Sequence, residues 1–582
     1  MHSALPLSRR PFWRPRRTAL LAWGLLSLGG WAALHSPVAS AQNAIQHRIT
    51  AGDTLQQLAL HYLGDASLWQ QLQAHNSVGS PYRLRPGAVL EIPLNLMRPA
   101  SASVHYLHGT GQVQRPAQPN APLQPGMTLQ EGDQLQLDPQ AFVTVRLADG
   151  TEVRVQADSQ LQLHQLRRRG RAGSLQSVLQ LQQGGVDIQV PGKADATRRL
   201  DVVTPVAATS VRGTTYNIQQ DSDGRTSTAL YQGRIAVQNL ADRSQPATAL
   251  PAGYGVAITA QGQSSPVTAL LPTPDANTLP RLNEDAQWLN LPLPQPEGAT
   301  DWLIQLSRDA QGQQVLRNGR FAAPSLAKFA AVEDGHYYLH ARAVDSHGLV
   351  SPATTVPLRV KAHPIAPLTQ SPAPAGLLAL SEAQLRCTLV DGAHNYRLQL
   401  AALPAAGTPA SAADFANPAL DITHPQCVFD LGAVPAGHYA WRTASIRVAE
   451  GQSPDQGPYA QPQTFRIAPR PATPSAQDMA PTTVAGVTTL HWPGEAGQRF
   501  RLQAIADAEA NDAQPALDTV LDTPTWTVSG LPAGQWHIRI QVQDPSGLNS
   551  AFSPPRTVTV LPLVQSGFGH TVSTGTGLGL EY

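Results

Sequence analysis

The sequence has little charge, little cysteine and few long apolar runs. Charged residues make up 14% of the 582 residues, and 41 Lys and Arg nearly cancel 40 Asp and Glu. A chain without net charge of one sign is not recruited as a whole by nucleic acid or by an acidic partner. Beyond Leu34 no apolar run is long enough to span a bilayer. The two cysteines lack the spacing of metal ligands, so they indicate no zinc site.

Proline and glycine, in contrast, are frequent. The chain has 51 Pro and 46 Gly, which is typical of short strands joined by turns and connectors. A length of 582 residues implies about three to five domains. We therefore predict a mainly β, multidomain protein.

Residues 1–41 are predicted to be an export signal. Several arginines precede the apolar run TALLAWGLLSLGGWAAL, and small residues at Ala39 and Ala41 favour cleavage after Ala41. The alternative is an uncleaved membrane anchor, but the run is short and contains two adjacent glycines. SRRPFWR (Ser8–Arg14) resembles the twin-arginine export signal, and the ordinary secretory route is the other option. The mature protein is expected in the periplasm or cell envelope, without a stable membrane span.

Residues 44–96 predict a small module with the order strand, helix, helix, strand. Asp53 with Gln56 is interpreted as a capping box at the first helix. Gly64 is expected to end that helix and Asp65 to cap the second. Apolar residues at helical spacing form its expected core, with Leu55, Leu58 and Leu72 among them.

This module resembles the LysM family, because AGDTLQQLA, Asn76 and LRPGAVLEIP follow that family's order and spacing. The resemblance implies binding to glycans that contain N-acetylglucosamine, which means peptidoglycan in a bacterial envelope. By analogy the sugar lies across two loops, with Gly52, Asp53, Thr54 and Leu55 on one side and Asn76, Pro81 and Tyr82 on the other. Tyr82 is expected to stack on a pyranose face, whereas a helix cap is the stronger interpretation of Asp53. One copy implies modest affinity.

A β domain is predicted over 123–263, after a Pro-, Ala- and Gln-rich linker at 97–122. Apolar residues alternate with a period of two, and Asp149-Gly150 marks a hairpin. Gly184-Gly185, Asp223-Gly224 and Gln232-Gly233 are interpreted as further turns. RRRGR (Arg167–Arg171) is interpreted as a solvated loop between strands, with an anion-binding patch as the alternative.

The β domain resembles the FecR family. The matching segments keep the family's order: LADGTEV, LQQGGVDIQV, VTPVAATSVRGTTYNI, LYQGRIAV and LPAGYGV. The family is named after a periplasmic transducer of iron-transport signalling, so the resemblance implies a protein partner. The anti-sigma segment and the internal spanning helix of that system are missing from the sequence, so signalling across the membrane is not implied for this chain.

The hydroxyl-rich segment around Arg212, Gly213 and Thr214 allows two interpretations. Ser210 or Thr214 beside an arginine is compatible with a nucleophile or an anion site. A nucleophile needs a base, however, and no His or Lys stands nearby at motif spacing. We therefore predict that Arg212, Gly213 and Thr214 form a structural turn between two strands, in which Gly213 adopts a positive φ.

Three similar modules are predicted towards the C-terminus, after a linker at 264–283. Their endings align with a period of roughly one hundred residues, as in EDGHYYLHARAV, PAGHYAWRTASI and PAGQWHIRIQVQ. Each ending has glycine before aromatic residues and then an alternating strand. The modules at 284–362, 370–468 and 478–562 are read as β-sandwiches and resemble fibronectin type III-like modules. The tail at 563–582 is rich in Gly, Ser and Thr and is expected to be disordered.

The two cysteines belong to the second of these modules. Cys387 aligns with Trp492 of the third module, and Cys427 is aligned with Trp526. Both positions are expected to face the core, and export exposes them to oxidant. We predict a structural disulfide that joins the two sheets of the sandwich.

No motif in the sequence predicts catalysis. There is no His-Glu-x-x-His or His-x-His, and both cysteines lie in apolar strand contexts. A pair of catalytic carboxylates leaves no motif. The expectation is a non-enzymatic envelope protein without cofactor or metal, which binds peptidoglycan or another N-acetylglucosamine polymer and also an envelope protein, but not nucleic acid. The alternative is a periplasmic regulatory sensor that acts through the FecR-like domain on a membrane or receptor partner.

Overall fold

A computed structural model describes residues 44–170, 174–190, 199–211, 213–484, 487–506 and 514–560. The predicted export signal (1–41) and the predicted disordered tail (563–582) lie outside these ranges. The described chain is mainly β, as expected, and its helices and sheets form five units in sequence. None of the helices in the described ranges is both long and apolar enough to cross a membrane.

The first unit, the LysM-like module, confirms the predicted order of elements. Strand β1 (Ala44–Arg48) pairs antiparallel with β2 (Val89–Pro93). Between them lie α1 (Leu55–Leu63), a 3₁₀ turn (Ala66–Leu68) and α2 (Trp69–Asn76), and a second 3₁₀ turn (Leu94–Leu96) follows β2. Leu55, Leu58 and Leu72 are buried in its core, as predicted.

The capping prediction for α1 was wrong by one residue. The N-cap is Thr54, whose side chain accepts a hydrogen bond from the Gln57 amide. The Asp53 carboxylate instead accepts hydrogen bonds from Thr50, in the loop before the helix. Gly64 ends α1 in a left-handed conformation, as predicted. Asp65 caps the 3₁₀ turn before α2 and not the second helix itself, which begins without a side-chain cap.

The second unit is the β domain, which extends from Arg98 to Ala269. Its strands are β3 (Arg98–Pro99), β4 (Ala102–His108), β5 (Gly111–Gln114), β6 (Ala121–Pro122), β7 (Thr128–Leu129), β8 (Gln134–Leu137), β9 (Phe142–Leu147), β10 (Glu152–Val155), β11 (Gln160–Arg169), β12 (Ser174–Gln189), β13 (Arg199–Val203), β14 (Ala207–Val211), β15 (Thr215–Gln220), β16 (Thr226–Gln232), β17 (Arg234–Asn239), β18 (Thr248–Pro251), β19 (Tyr254–Ile258) and β20 (Thr268–Ala269). They pair into one closed circuit around a shared apolar core.

Strand β12 joins the two halves of this circuit. Its first part pairs with β11 and with β13, and its second part pairs with β10 and β15. The turn predicted at Gly184-Gly185 was wrong, because the strand continues through both glycines. Gly184 has φ +88°, and a Cβ there would lie 2.1 Å from Ser159 Oγ. The glycines therefore mark the bend at which one strand passes from one sheet to the other.

Two further predictions for this domain need correction. The stretch 97–122, predicted as a linker, contains β3 to β6, because apolar Ala102, Val104 and Val113 enter the core of the β domain. The solvated loop predicted at Arg167–Arg171 is strand as far as Arg169, and β11 pairs there with β3 and β12. Arg171 lies outside the described residues.

The remaining three units are β-sandwiches of two sheets each. Sandwich 1 contains β21 (Leu282–Asn283), β22 (Trp288–Leu293), β23 (Ala299–Ser307), β24 (Val315–Ala322), β25 (Ser325–Ala330), β26 (Gly335–Asp345) and β27 (Thr354–Val360). Its sheets have the orders β21-β27-β26-β23-β24 and β22-β25. The predicted linker at 264–283 thus contains β20, a 3₁₀ turn (Ala276–Thr278) and β21.

Sandwich 2 contains β28 (Thr369–Ser371), β29 (Gly376–Ala379), β30 (Gln384–Cys387), β31 (Asn395–Leu403), β32 (Leu420–His424), β33 (Val428–Asp430), β34 (Gly437–Arg447), β35 (Asp455–Tyr459) and β36 (Gln463–Ala468), with 3₁₀ turns at Leu380–Glu382 and Ala412–Phe415. Sandwich 3 contains β37 (Ala480–Val484), β38 (Val487–His491), β39 (Arg499–Ile505), β40 (Leu517–Leu521), β41 (Thr525–Thr527), β42 (Gly534–Gln543) and β43 (Arg556–Val560). In both, a three-stranded sheet packs over a larger one.

The predicted disulfide is present, but it does not join the two sheets. Cys387 ends β30 and Cys427 precedes β33, which is the neighbour of β30 in the same sheet. The Cys387 amide donates to the Cys427 carbonyl at 3.0 Å. The two cysteines are therefore cross-strand neighbours, and both are buried in the core as predicted.

The register corrects the alignment that placed the second cysteine. The pair Leu385 and Phe429 in sandwich 2 corresponds to the pair Leu490 and Trp526 in sandwich 3. Trp526 therefore matches Phe429 rather than Cys427.

Candidate functional site

Two loops of the LysM-like module lie side by side at the start of α1, and we call them the groove loops (residues 50–55 and 77–84). The Leu55 amide donates to the Pro81 carbonyl at 3.3 Å, which joins the loops. Tyr82 is 66% exposed beside this contact. Gly52 is exposed at φ +95°, with no atom within 4 Å of the position of a Cβ. The two loops therefore meet at an exposed surface with an aromatic ring beside the joining hydrogen bond, and we call this surface the groove.

The carboxylate of Asp53 is occupied within its own loop. It accepts hydrogen bonds from the Thr50 amide at 2.6 Å and the Thr50 hydroxyl at 2.9 Å, and it pairs with His47 Nε2 at 3.0 Å. The other imidazole nitrogen of His47 lies 2.9 Å from the Tyr62 hydroxyl. The hydrogen bond with His47 and those from Thr50 hold the pKa of Asp53 below its ordinary value. Asp53 therefore stabilises the conformation of the first groove loop.

The helix start supplies hydrogen-bond donors to the groove. Thr54 Oγ1 accepts from the Gln57 amide at 3.2 Å, which satisfies one of the orphan donors of the first turn. Within the described part of the chain, the amides of Gly52, Thr54 and Gln56 have no acceptor. These donors remain for water or for a ligand carbonyl.

Two of the residues predicted to bind glycan, Asn76 and Leu55, have side chains that are used inside the module. The Asn76 side chain donates to the Leu72 and Glu91 carbonyls and accepts from the Glu91 amide at 2.7 Å, so it fastens α2 to β2. The Leu55 side chain is fully buried. The structure thus joins the loop of Gly52 and Thr54 to the loop of Pro81 and Tyr82 through the Leu55 amide, whereas the side chains of Asp53, Leu55 and Asn76 are occupied within the module.

The β domain carries a second polar cluster, which sequence reasoning missed. Asp187 of β12 forms an ion pair at 2.5 Å with Arg342 of sandwich 1. It also accepts hydrogen bonds from Asn217 at 3.0 Å and Gln156 at 3.1 Å. Burial alone would raise the pKa of Asp187, but the Arg342 guanidinium outweighs it and the pKa is lowered. Because the pair is largely buried and Asp187 has further hydrogen-bond partners, it joins the two units.

Further contacts extend this joint across the face of the β domain. Asn318 of sandwich 1 accepts from the Ala157 amide at 3.1 Å and donates to the Ala141 carbonyl at 3.2 Å. The hydroxyl of Tyr231 donates to the Val350 carbonyl at 3.2 Å. Sandwich 1 therefore covers the outer face of the sheet. The segment TSTALYQ (Thr226–Gln232) shows the effect of this cover. Its first five residues are all buried although three of them carry hydroxyl groups.

The hydroxyl-rich segment at 210–215 connects two strands, β14 and β15. Ser210 lies in β14, which is paired with β13 on one side and β17 on the other. Gly213 has φ +67°. Thr214 is buried, and its hydroxyl has no hydrogen-bond partner among the described residues. Arg212 lies outside those residues. This arrangement suits a connection between strands, and the structural role of the segment remains a prediction.

No group of three or more His, Cys, Asp or Glu side chains in the described parts of the chain is arranged to hold a metal ion.

Two families of known proteins match parts of the chain. The LysM domain matches residues 47–93, and the FecR protein family matches residues 133–236. Both are binding or regulatory families, and neither is catalytic. No curated protein matches the chain significantly.

Solved structures resemble the chain only weakly. A protein of Parabacteroides distasonis ATCC 8503 assigned as an anti-sigma factor is 16% identical over 26% of this chain and 68% of its own, with a TM-score of 0.20. A second structure with that assignment is 13% identical over 33% and 85%, also with a TM-score of 0.20. The FN1–FN3 domains of chicken CNTN1 are 16% identical over 49% and 97%, with a TM-score of 0.21. Scores this low establish no shared fold.

Proposed function

We propose that the chain is an exported, non-enzymatic protein of the cell envelope that binds peptidoglycan through residues 44–96. The β domain and the three sandwiches would then be held at the wall for contact with another envelope protein or for structural support. The observation that supports this proposal best is the groove, where unoccupied amides at the start of α1 face an exposed tyrosine across joined loops.

The chemistry of the groove suits an N-acetylated sugar. The acetamido carbonyl of N-acetylglucosamine accepts hydrogen bonds, and the amides of Gly52, Thr54 and Gln56 are donors without an acceptor in the described chain. The Tyr82 ring offers an apolar face to the C–H face of a pyranose. A single shallow groove gives modest affinity, so the module tethers the protein without locking it in place.

Co-sedimentation with purified peptidoglycan tests the tether. The mature protein should sediment with the polymer, and a variant that lacks His47–Pro93 should stay in the supernatant. If the deletion variant sediments equally well, the tether lies elsewhere in the chain and the proposal is wrong.

Substitution of the aromatic residue tests the groove itself. Tyr82→Ala should weaken binding by about tenfold, because it removes a stacking surface but no core contact. Tyr254→Ala, at another exposed tyrosine in the β domain, is the matched control and should bind as the wild type does. Thr54 is best changed to Ser in this series, because that change keeps the helix cap.

A regulatory sensor is the second candidate function, and the FecR match over residues 133–236 favours it. The partner would be a membrane-bound regulator or an outer-membrane receptor. Because sandwich 1 covers one face of the β domain, the test uses residues 98–362 as one piece. Capture of an identified regulator or receptor by this piece, with loss of the response when the protein is deleted, would support sensing.

A further inference from the structure

The second groove loop and the residue directly after it carry two arginines that the proposed tethering of a neutral sugar does not use. Arg83 and Arg85 follow Tyr82 directly, and both are exposed. Leu84 between them packs against the core of the module. Both guanidinium groups are therefore open to solvent, on the segment that also carries the exposed Tyr82.

Neither arginine is neutralised by the protein. Within the described chain, the side chains of Arg83 and Arg85 form no ion pair and no hydrogen bond. Residues 44–96 contain three arginines and three carboxylates, and therefore have no formal net charge. The charge is unevenly placed, however, because each carboxylate already has a partner.

The three carboxylates are used as follows. Asp53 is bound by His47 and Thr50, and Asp65 caps the turn before α2 by accepting from Ser67. Glu91 faces His75 at 3.5 Å, on the strand that Asn76 fastens. The positive charge at the groove therefore has no counterpart within the module.

We infer that the groove selects acidic glycans, with Arg83 and Arg85 as specificity-determining residues for a carboxylate carried by the polymer. This inference rests on the proposed glycan binding. Peptidoglycan has such a carboxylate on the lactyl group of every second sugar once its peptides are removed, whereas chitin has none. Arg83 follows the proposed stacking residue Tyr82 directly in the chain, and an exposed guanidinium there can pair with a carboxylate on a sugar next to the one that stacks.

The test compares the full mature protein on three polymers. They are glycan strands stripped of their peptides, the same strands with their carboxylates converted to amides, and chitohexaose. The wild type should bind the acidic strands about tenfold more tightly than the amidated strands at low salt. The preference should shrink as the salt concentration rises, because exposed charges are screened.

The double variant Arg83→Gln, Arg85→Gln should bind all three polymers as the wild type binds the amidated strands. Arg243→Gln, at an exposed arginine of the β domain, is the matched control and should keep the full preference.

Three outcomes separate this inference from the proposed function. If the wild type binds the acidic and amidated strands equally, the inference is wrong and the glycan tether stands. If Arg243→Gln loses the preference as well, the effect is one of general charge and the inference is again wrong. If none of the three polymers binds, the proposed function fails and the inference fails with it.

Discussion

At the residue scale, the most perturbed histidine lies in sandwich 1, far from the groove. His340 is buried, with its nitrogens 2.7 Å from Ser307 Oγ and 2.9 Å from Thr355 Oγ1. Burial, and next to it the Arg342 guanidinium, lower its pKa to about 4. The folded state therefore holds a neutral imidazole where the unfolded chain takes up a proton near pH 6.5.

The stability of sandwich 1 should accordingly depend on pH. The contribution of neutral His340 is complete above about pH 6.5, the ordinary pKa, and is lost as the pH falls towards 4. The total loss is on the order of 3 kcal/mol. Urea unfolding at pH 7 and pH 4.5 measures it. His340→Gln should reduce the difference between the two pH values, while His336→Gln, exposed on the same strand, should leave it unchanged. An undiminished difference in His340→Gln would contradict this assignment.

At the element scale, strand β12 belongs to two sheets and so connects the two halves of the β domain. Its alternation continues through Gly184 and Gly185, and the bend occurs where a side chain would strike Ser159. Two glycines in a row commonly mark a turn, so local sequence alone favours the wrong element here.

Gly184→Ala should destabilise the β domain by about 2–3 kcal/mol, because its Cβ would lie 2.1 Å from Ser159 Oγ and 2.6 Å from Ser159 Cα. Gly126→Ala is the control. Gly126 has a similar φ of +79° and no atom within 4 Å of the Cβ position, so it should show the backbone cost of about 1 kcal/mol alone. Equal losses in chemical denaturation of the two variants would show that the close approach to Ser159 is unimportant.

The disulfide is a second feature at this scale. Cys387 and Cys427 are 40 residues apart in sequence and tie β30 to the segment before β33. Closing a loop of this length contributes about 3–4 kcal/mol in the chain-entropy model. Denatured, non-reduced protein should have no thiol that can be alkylated. Reduction should lower the melting temperature of residues 377–467 and leave the LysM-like module and the β domain unaffected. Alkylation of both cysteines without reductant would refute the pairing.

Sequence predicted the local features of this chain well and its tertiary ones poorly. The module around Leu55 and Leu72 and the hairpin at Asp149-Gly150 follow from periodicity and turn residues close in the chain. The course of β12 and the in-sheet disulfide depend on which distant strands become neighbours. At the groove, the spacing of residues in the sequence identified the two loops. It did not show that the Asn76 side chain is hydrogen-bonded to the backbone of Glu91.

At the scale of the whole molecule, the β domain and sandwich 1 are joined by ion pairs and hydrogen bonds. The largely buried Asp187–Arg342 pair connects them, and the Asn318 side chain adds two hydrogen bonds to backbone groups. The ion pair between sandwiches 1 and 2 is more exposed to solvent. It joins Lys361 to Asp455 at 2.8 Å.

Breaking the buried pair should therefore affect both units at once. Arg342→Met leaves the Asp187 carboxylate buried without its cation and should cost about 3–5 kcal/mol. Hydrogen exchange should show that protection falls in the β domain and in sandwich 1 together, and adding Asp187→Asn should restore much of it. Arg320→Met removes an exposed partner of Asp221 and should cost less than about 1 kcal/mol. Loss of protection in sandwich 1 alone would show that the two units unfold separately.

The joint between the LysM-like module and the β domain has a mechanical consequence. The described hydrogen bonds across it include the Gly170 amide to the Tyr62 carbonyl at 2.9 Å, Arg98 to the Gly64 carbonyl at 3.2 Å and Arg167 to the Met97 carbonyl at 3.1 Å. If the wall is stretched while the distal domains are held, the load falls on these bonds before it reaches either core. These hydrogen bonds would break first, and the chain around residues 97–101 would then extend. The anchor would yield to strain while each folded part stays intact.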